Sequence, residues 1–159
     1  MALPAFIDSW SAIYSNSAAL RSAIGFAHVG GLVGGGGAAI AADRAVLRIH
    51  REGPERRPHH LATIHHTHWA VLIGLSLVVV SGLLLLGADL ESYLESTVFW
   101  IKMGLVLLLF ANGVILLTAE QGAATGDERR WRHLHRASVA SLVLWFATTL
   151  AGVVLPNAL

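Results

Sequence analysis

Four apolar runs, each about as long as a bilayer is thick, limit what this chain of 159 residues can become. They cover residues 22–42, 69–88, 98–119 and 137–155. A helix rises about 1.5 Å per residue, so roughly 20 apolar residues cross a hydrocarbon core of about 30 Å. Composition agrees: 55% of the residues are hydrophobic, 13% are charged, and mean hydropathy is +0.62. A soluble domain carries about 25% charged residues. The expected fold is all-α, an integral membrane four-helix bundle forming one transmembrane domain over residues 1–159.

The chain has no cysteine. Disulfides, iron–sulfur clusters and thiol catalysis are excluded, and compartment is left open. The first twenty residues lack a basic region ahead of an apolar core, so they do not read as a cleavable signal. Instead Phe6, Trp10, Ile13 and Tyr14 share a helical face, which predicts a short interfacial helix within residues 4–20. A net charge of +1 implies no affinity for nucleic acid.

Arginines give the expected orientation. Arg44, Arg48, Arg51, Arg56 and Arg57 follow the first run, and Arg129, Arg130, Arg132 and Arg136 precede the last. The turn between the second and third runs has Asp89, Glu91 and Glu95 and no basic residue. By the positive-inside rule both basic connections face the cytoplasm, and both termini lie outside a bacterial inner membrane. Gly53, Pro54 and Pro58 break the first connection, with Pro58 placed for the first turn of a new helix. Thr125 and Glu128 read as a capping box opening the last helix. His66-Thr67-His68 and His133-Leu134-His135 open the two outgoing helices, a correspondence that hints at duplication.

Within the first run, the stretch Phe26–Ala42 holds six glycines and one ionisable residue, His28. Below His28 the same face presents Gly31, Leu32, Gly35 and Ala39. A bare face suits either close helix packing, through Gly30/Gly34 and Gly31/Gly35 pairs, or a flat macrocycle held by the imidazole. Lys102, the chain's single lysine, lies at a similar depth on the third run. Ionisable groups in a span are costly, about 2.5–3.5 kcal/mol, and so mark candidate sites. Snorkelling is the alternative for Lys102, and a hydrogen bond to a serine or carbonyl is the alternative for His28. His68 and His135, one from each outgoing helix, could pair as haem or metal ligands near the inner surface, or stand solvated beside lipid phosphates. The expected metal-ligand set is therefore His28, His68 and His135. No catalytic residue is assigned, because hydrolase, P-loop and dinucleotide motifs are missing.

The stretches FAHVGGLVGGGG, ADRAVLR, VFWIKMGLVLLLFANGVIL and WRHLHRASVASLVLWFATTLAG resemble a superfamily of small bacterial four-helix membrane proteins. That group includes copper-resistance D proteins and haem-binding, four-helix protoporphyrinogen oxidases. The resemblance covers roughly residues 24–155 and matches its early histidine to His28 and its span-three lysine to Lys102. The chain lacks the Asn-Glu-x-Pro stretch of the oxidases' last helix. What the resemblance implies is a b-type haem protein, passing electrons to or from a quinone or a partner protein. His28 would be the first ligand, Lys102 a propionate partner, and His68 and His135 further ligands. Two alternatives stand beside it: a copper- or metal-handling protein, and a cofactor-free accessory subunit of a larger membrane complex. Two methionines and no cysteine weigh against a copper(I) path. A homo-oligomer is compatible with all three.

Overall fold

The computed structural model describes residues 2–52, 57–123 and 128–159, and side chains within these except at 2–4, 49–52, 57–66, 68 and 121–123. Six α-helices follow one another: α1 (Ala2–Asn16), α2 (Ala18–Glu52), α3 (Arg57–Ala88), α4 (Leu90–Glu95), α5 (Thr97–Ala123) and α6 (Glu128–Val154). A 3-10 turn, Leu155–Asn157, follows α6. Four helices are long and apolar enough to cross a membrane, over Ala18–Arg48, Trp69–Ala88, Thr97–Glu120 and Glu128–Asn157.

The helices form an open row rather than a closed ring. α3 packs on α2, α2 on α6, and α6 on α5, while α3 and α5 meet at most marginally. The two central spans accordingly hide 28% of their apolar window inside the protein, against 11% for the two flanking ones. On α6 Trp131, Leu134, Ser138, Ser141, Trp145 and Thr148 form a buried stripe, with Ala137 buried beside it and Leu155 continuing it. Their alternating spacing of three and four is the seam of a coiled-coil-like packing.

Close approach of α2 and α3 rests on glycine. A Cβ at Gly74 would lie 2.4 Å from the Gly35 Cα and 2.7 Å from the Gly31 carbonyl oxygen. Backbones in lipid gain from such contact because dispersion replaces the hydrophobic drive. Gly36 receives the Trp145 ring of α6, with a Cβ-to-ring distance of 3.1 Å. A Cβ at Gly30, Gly34 or Gly37 would meet nothing within 4 Å, so only one of the two glycine pairs expected to pack does so within the chain.

α1 forms where a short N-terminal helix is expected, and it ends at Asn16 rather than reaching Leu20. Ser17 separates it from α2, its hydroxyl accepting from the Leu20 amide at 3.2 Å. Trp10 Nε1 donates to the Leu84 carbonyl at 2.9 Å and the Ser11 hydroxyl to the Ala88 carbonyl at 2.7 Å. These are the end of α3, where helix carbonyls run out of intrahelical partners. The acidic turn holds an unexpected short helix, α4. Asp89 caps it by accepting from the Ser92 amide, and Ser96 caps α5 through the Phe99 amide. α3 begins at Arg57 with Pro58 in its first turn, as its fixed φ favours. Thr125, half of the expected capping box, lies outside the described residues.

Candidate functional site

Three places in the bundle gather chemistry-bearing residues. The first is the level of His28 and Lys102. A helical face running from Ile24 through His28, Gly31, Gly35 and Ala39 is turned inward, because its residues are small enough for neighbours to close on it. His28 Nδ1 lies 3.0 Å from the Ser81 hydroxyl of α3, and that hydroxyl also donates back to the Leu77 carbonyl. The imidazole covers Gly82, whose Cβ would sit 3.4 Å from its Cε1. Lys102 lies over Gly152 of α6, with its Nζ 3.6 Å from a Cβ placed there, and it is within electrostatic reach of His28. The glycine face below His28 is occupied by α3 through Gly74, so packing fills the surface that a macrocycle would need.

The second place is a cavity of about 250 Å³ lined by all four long helices. Its wall includes Val71 and Leu75 of α3, Leu109 and Gly113 of α5, and Trp145 of α6. Leu72, Phe110 and Val114 line it and are exposed, so it opens sideways between α3 and α5, where the row of helices is not closed. Asp43 of α2 faces it, 4% exposed. The Ser141 hydroxyl hydrogen-bonds the Asp43 carboxyl, and Ser138 stands beside it. Asp43 Oδ2 and Ser138 Oγ have no hydrogen-bond partner. Glu120 lines the cavity as well. His28, Lys102 and His135 are not in its wall.

The third is the basic end. Arg129, Arg130, Arg132, His133 and Arg136 are exposed on the first turns of α6, and Arg44 and Arg48 are exposed near the end of α2. Arg129, Arg130 and His133 line a shallow depression of about 410 Å³ with Thr118 and Ala119 of α5. Beneath it Trp131, fully buried, packs with Val46, Ala119 and Leu134 and fixes α2, α5 and α6 together. His135 is half-buried on α6, and the His68 side chain lies outside the described residues. Among the described residues no group of three or more His, Cys, Asp or Glu is placed to hold a metal ion.

Asp43 carried no weight in the sequence reading beyond marking where the first span ends. The signal was present: it lies four residues beyond Ala39 on the face that runs through Gly31 and Gly35.

A helical bundle with four helices long and apolar enough to cross a membrane, a basic end and a buried carboxyl is the class of protein that this architecture defines. Residues 51–158 match the model of the NrsF family, described as negative regulator of sigma F. The chain belongs to that family. Neither a curated protein nor a solved structure matches it. The family corrects the resemblance drawn from the sequence: the chain is not placed with the copper-resistance D or haem-binding oxidase proteins. A haem electron-transfer role, oxidoreductase chemistry and a quinone partner fall with that resemblance, as do the metal-handling and accessory-subunit alternatives. The motifs that suggested it, a histidine early in one span and a lysine early in another, are short. Any helical bundle that buries polar groups against serine and glycine can produce them.

Proposed function

We propose that this protein is a membrane-embedded negative regulator that holds a sigma factor away from RNA polymerase. The family match over residues 51–158 is the observation that carries this reading; it includes the whole of the second basic connection and the last part of the first, with Arg51, Arg56 and Arg57. A sigma factor works in the cytoplasm, so the surface that captures it must face inward. The arginine distribution supports an inner-membrane protein with both termini outside and residues 43–57 and 120–136 inside. The exposed Arg129, Arg130, Arg132 and Arg136 then form one side of the docking surface. Its partner would be an acidic surface of the sigma factor.

Each exposed arginine–carboxylate pair contributes about 0.2–1 kcal/mol. Several pairs together speed encounter and suppress wrong partners more than they deepen affinity. Capture should therefore weaken as salt rises. A promoter dependent on the sigma factor, fused to a reporter, tests the reading. Loss of the chain should raise expression, and Arg129→Glu/Arg130→Glu/Arg132→Glu should raise it to the same level while the protein stays in the membrane. Unchanged expression on removal of the chain rejects the proposal.

A further inference from the structure

The cavity beside Asp43 is a place the regulatory reading does not use. The geometry points to a binding site there for a small cationic amphiphile: a protonated amine paired with Asp43, carrying an alkyl chain into the apolar part of the cavity. This stands without the sigma-factor reading.

Four observations converge on it. Asp43 is 4% exposed, yet its Oδ2 has no hydrogen-bond partner, and Ser138 Oγ beside it has none either. Ser141 satisfies part of the carboxyl, but a buried carboxylate oxygen left unpaired is costly, and a cation that brings donors removes that cost. Among the described residues, the charged side chains in the wall are Asp43 and Glu120, both acidic, although the neighbouring surface is rich in arginine. Such a lining favours a cation and rejects an anion. Apart from Ser138, Ser141 and Gly113, the rest of the wall is aliphatic or aromatic, including Leu75, Leu109 and Trp145. The opening lies between α3 and α5, past exposed Leu72 and Val114, so a ligand would enter from the lipid and not from water.

Size narrows the class further. The cavity measures about 250 Å³. One water takes roughly 30 Å³ in the liquid, so the space has room for an alkyl chain of several carbons. An eight-carbon chain with an amine is of that order. Alkylamines share the basicity of lysine, with a pKa of about 10.4, and are charged at neutral pH.

The test is equilibrium binding of radiolabelled n-octylamine to the full chain in nanodiscs, with empty nanodiscs measuring lipid partition. Saturable binding near one molecule per chain is expected. Asp43→Asn should weaken it at least tenfold, and unlabelled n-octanol and octanoate should compete at least tenfold less well than unlabelled octylamine. Gly113→Leu provides a variant that leaves the carboxyl in place. A Cβ at Gly113 meets nothing within 4 Å, and the residue lines the cavity, so the leucine fills the space without a clash. It should abolish saturable binding while the helical circular dichroism is kept. Octanol competing as well as octylamine, binding unaffected by both variants, or binding no greater than partition into empty nanodiscs would each overturn the proposal. Exchange of a lipid tail alone would give the last of these results.

Discussion

Replacing Gly74 by alanine tests the packing that holds the first helical pair together. The new Cβ would stand 2.4 Å from the Gly35 Cα, 2.5 Å from its nitrogen and 2.7 Å from the Gly31 carbonyl oxygen. Carbon atoms pack at about 3.5–4.0 Å, so the α2 and α3 backbones must part by about 1 Å. None of the clashing atoms is the end of a flexible side chain, so rotation cannot relieve the contact. A gap of 0.5–1 Å forfeits roughly a quarter to a half of each dispersion contact along the seam. Overpacking of this kind costs about 1–3 kcal/mol. Alanine's better helix propensity offsets up to about 1 kcal/mol of it. A net loss of about 1–2 kcal/mol is expected. Gly34→Ala is the matched control, since its Cβ meets nothing within 4 Å and it carries the propensity gain alone. Unfolding in mixed micelles by increasing SDS, followed by tryptophan fluorescence, reads both. Equal stability of Gly74→Ala and Gly34→Ala would refute the packing argument.

Other perturbations have defined outcomes. Ser81→Ala and His28→Leu should each cost about 0.6 kcal/mol in the same assay, as interhelical hydrogen bonds in membranes do, and the double variant should cost less than their sum. Asn112 is buried and donates from Nδ2 to the Ala137 carbonyl at 3.0 Å, joining α5 to α6. Asn112→Leu should therefore destabilise by about 0.6–1.7 kcal/mol, measured by the same unfolding. Trp131 has no exposed surface and ties three helices together, so Trp131→Ala should cost about 3–5 kcal/mol and lower the yield of folded protein on size exclusion. Alkaline phosphatase fused after Leu159 should be active, since the proposed topology places that end outside the membrane.

Much of the architecture was legible because lipid imposes a length. Each of the four apolar runs became a membrane-length helix, with bounds extended where arginine-bearing turns continued the spiral. Asp43 shows how such an extension hides a site. Read along the sequence it belongs to the polar flank of a span, yet on the helix surface it lies on the buried stripe with Ala39 and Val46. α4 escaped notice because its six residues carry no long apolar period, only the local caps at Asp89 and Ser96. The helix order α3–α2–α6–α5 was not legible either. It depends on Gly74 meeting Gly31 and on Trp145 meeting Gly36, pairings between distant segments that no local pattern states. His28 was singled out for its cost in a membrane, and that cost is met by Ser81. The sequence offers a serine or a carbonyl as its partner, and only the α2–α3 packing selects Ser81.

Subcellular fractionation of the sigma factor tests the central claim most directly. With the chain present at native level, the sigma factor should sediment with the membranes and co-purify with the detergent-solubilised chain at low salt. The Arg129→Glu/Arg130→Glu/Arg132→Glu variant should release it to the soluble fraction without itself leaving the membrane. A sigma factor that stays soluble whether or not the chain is present would contradict the account.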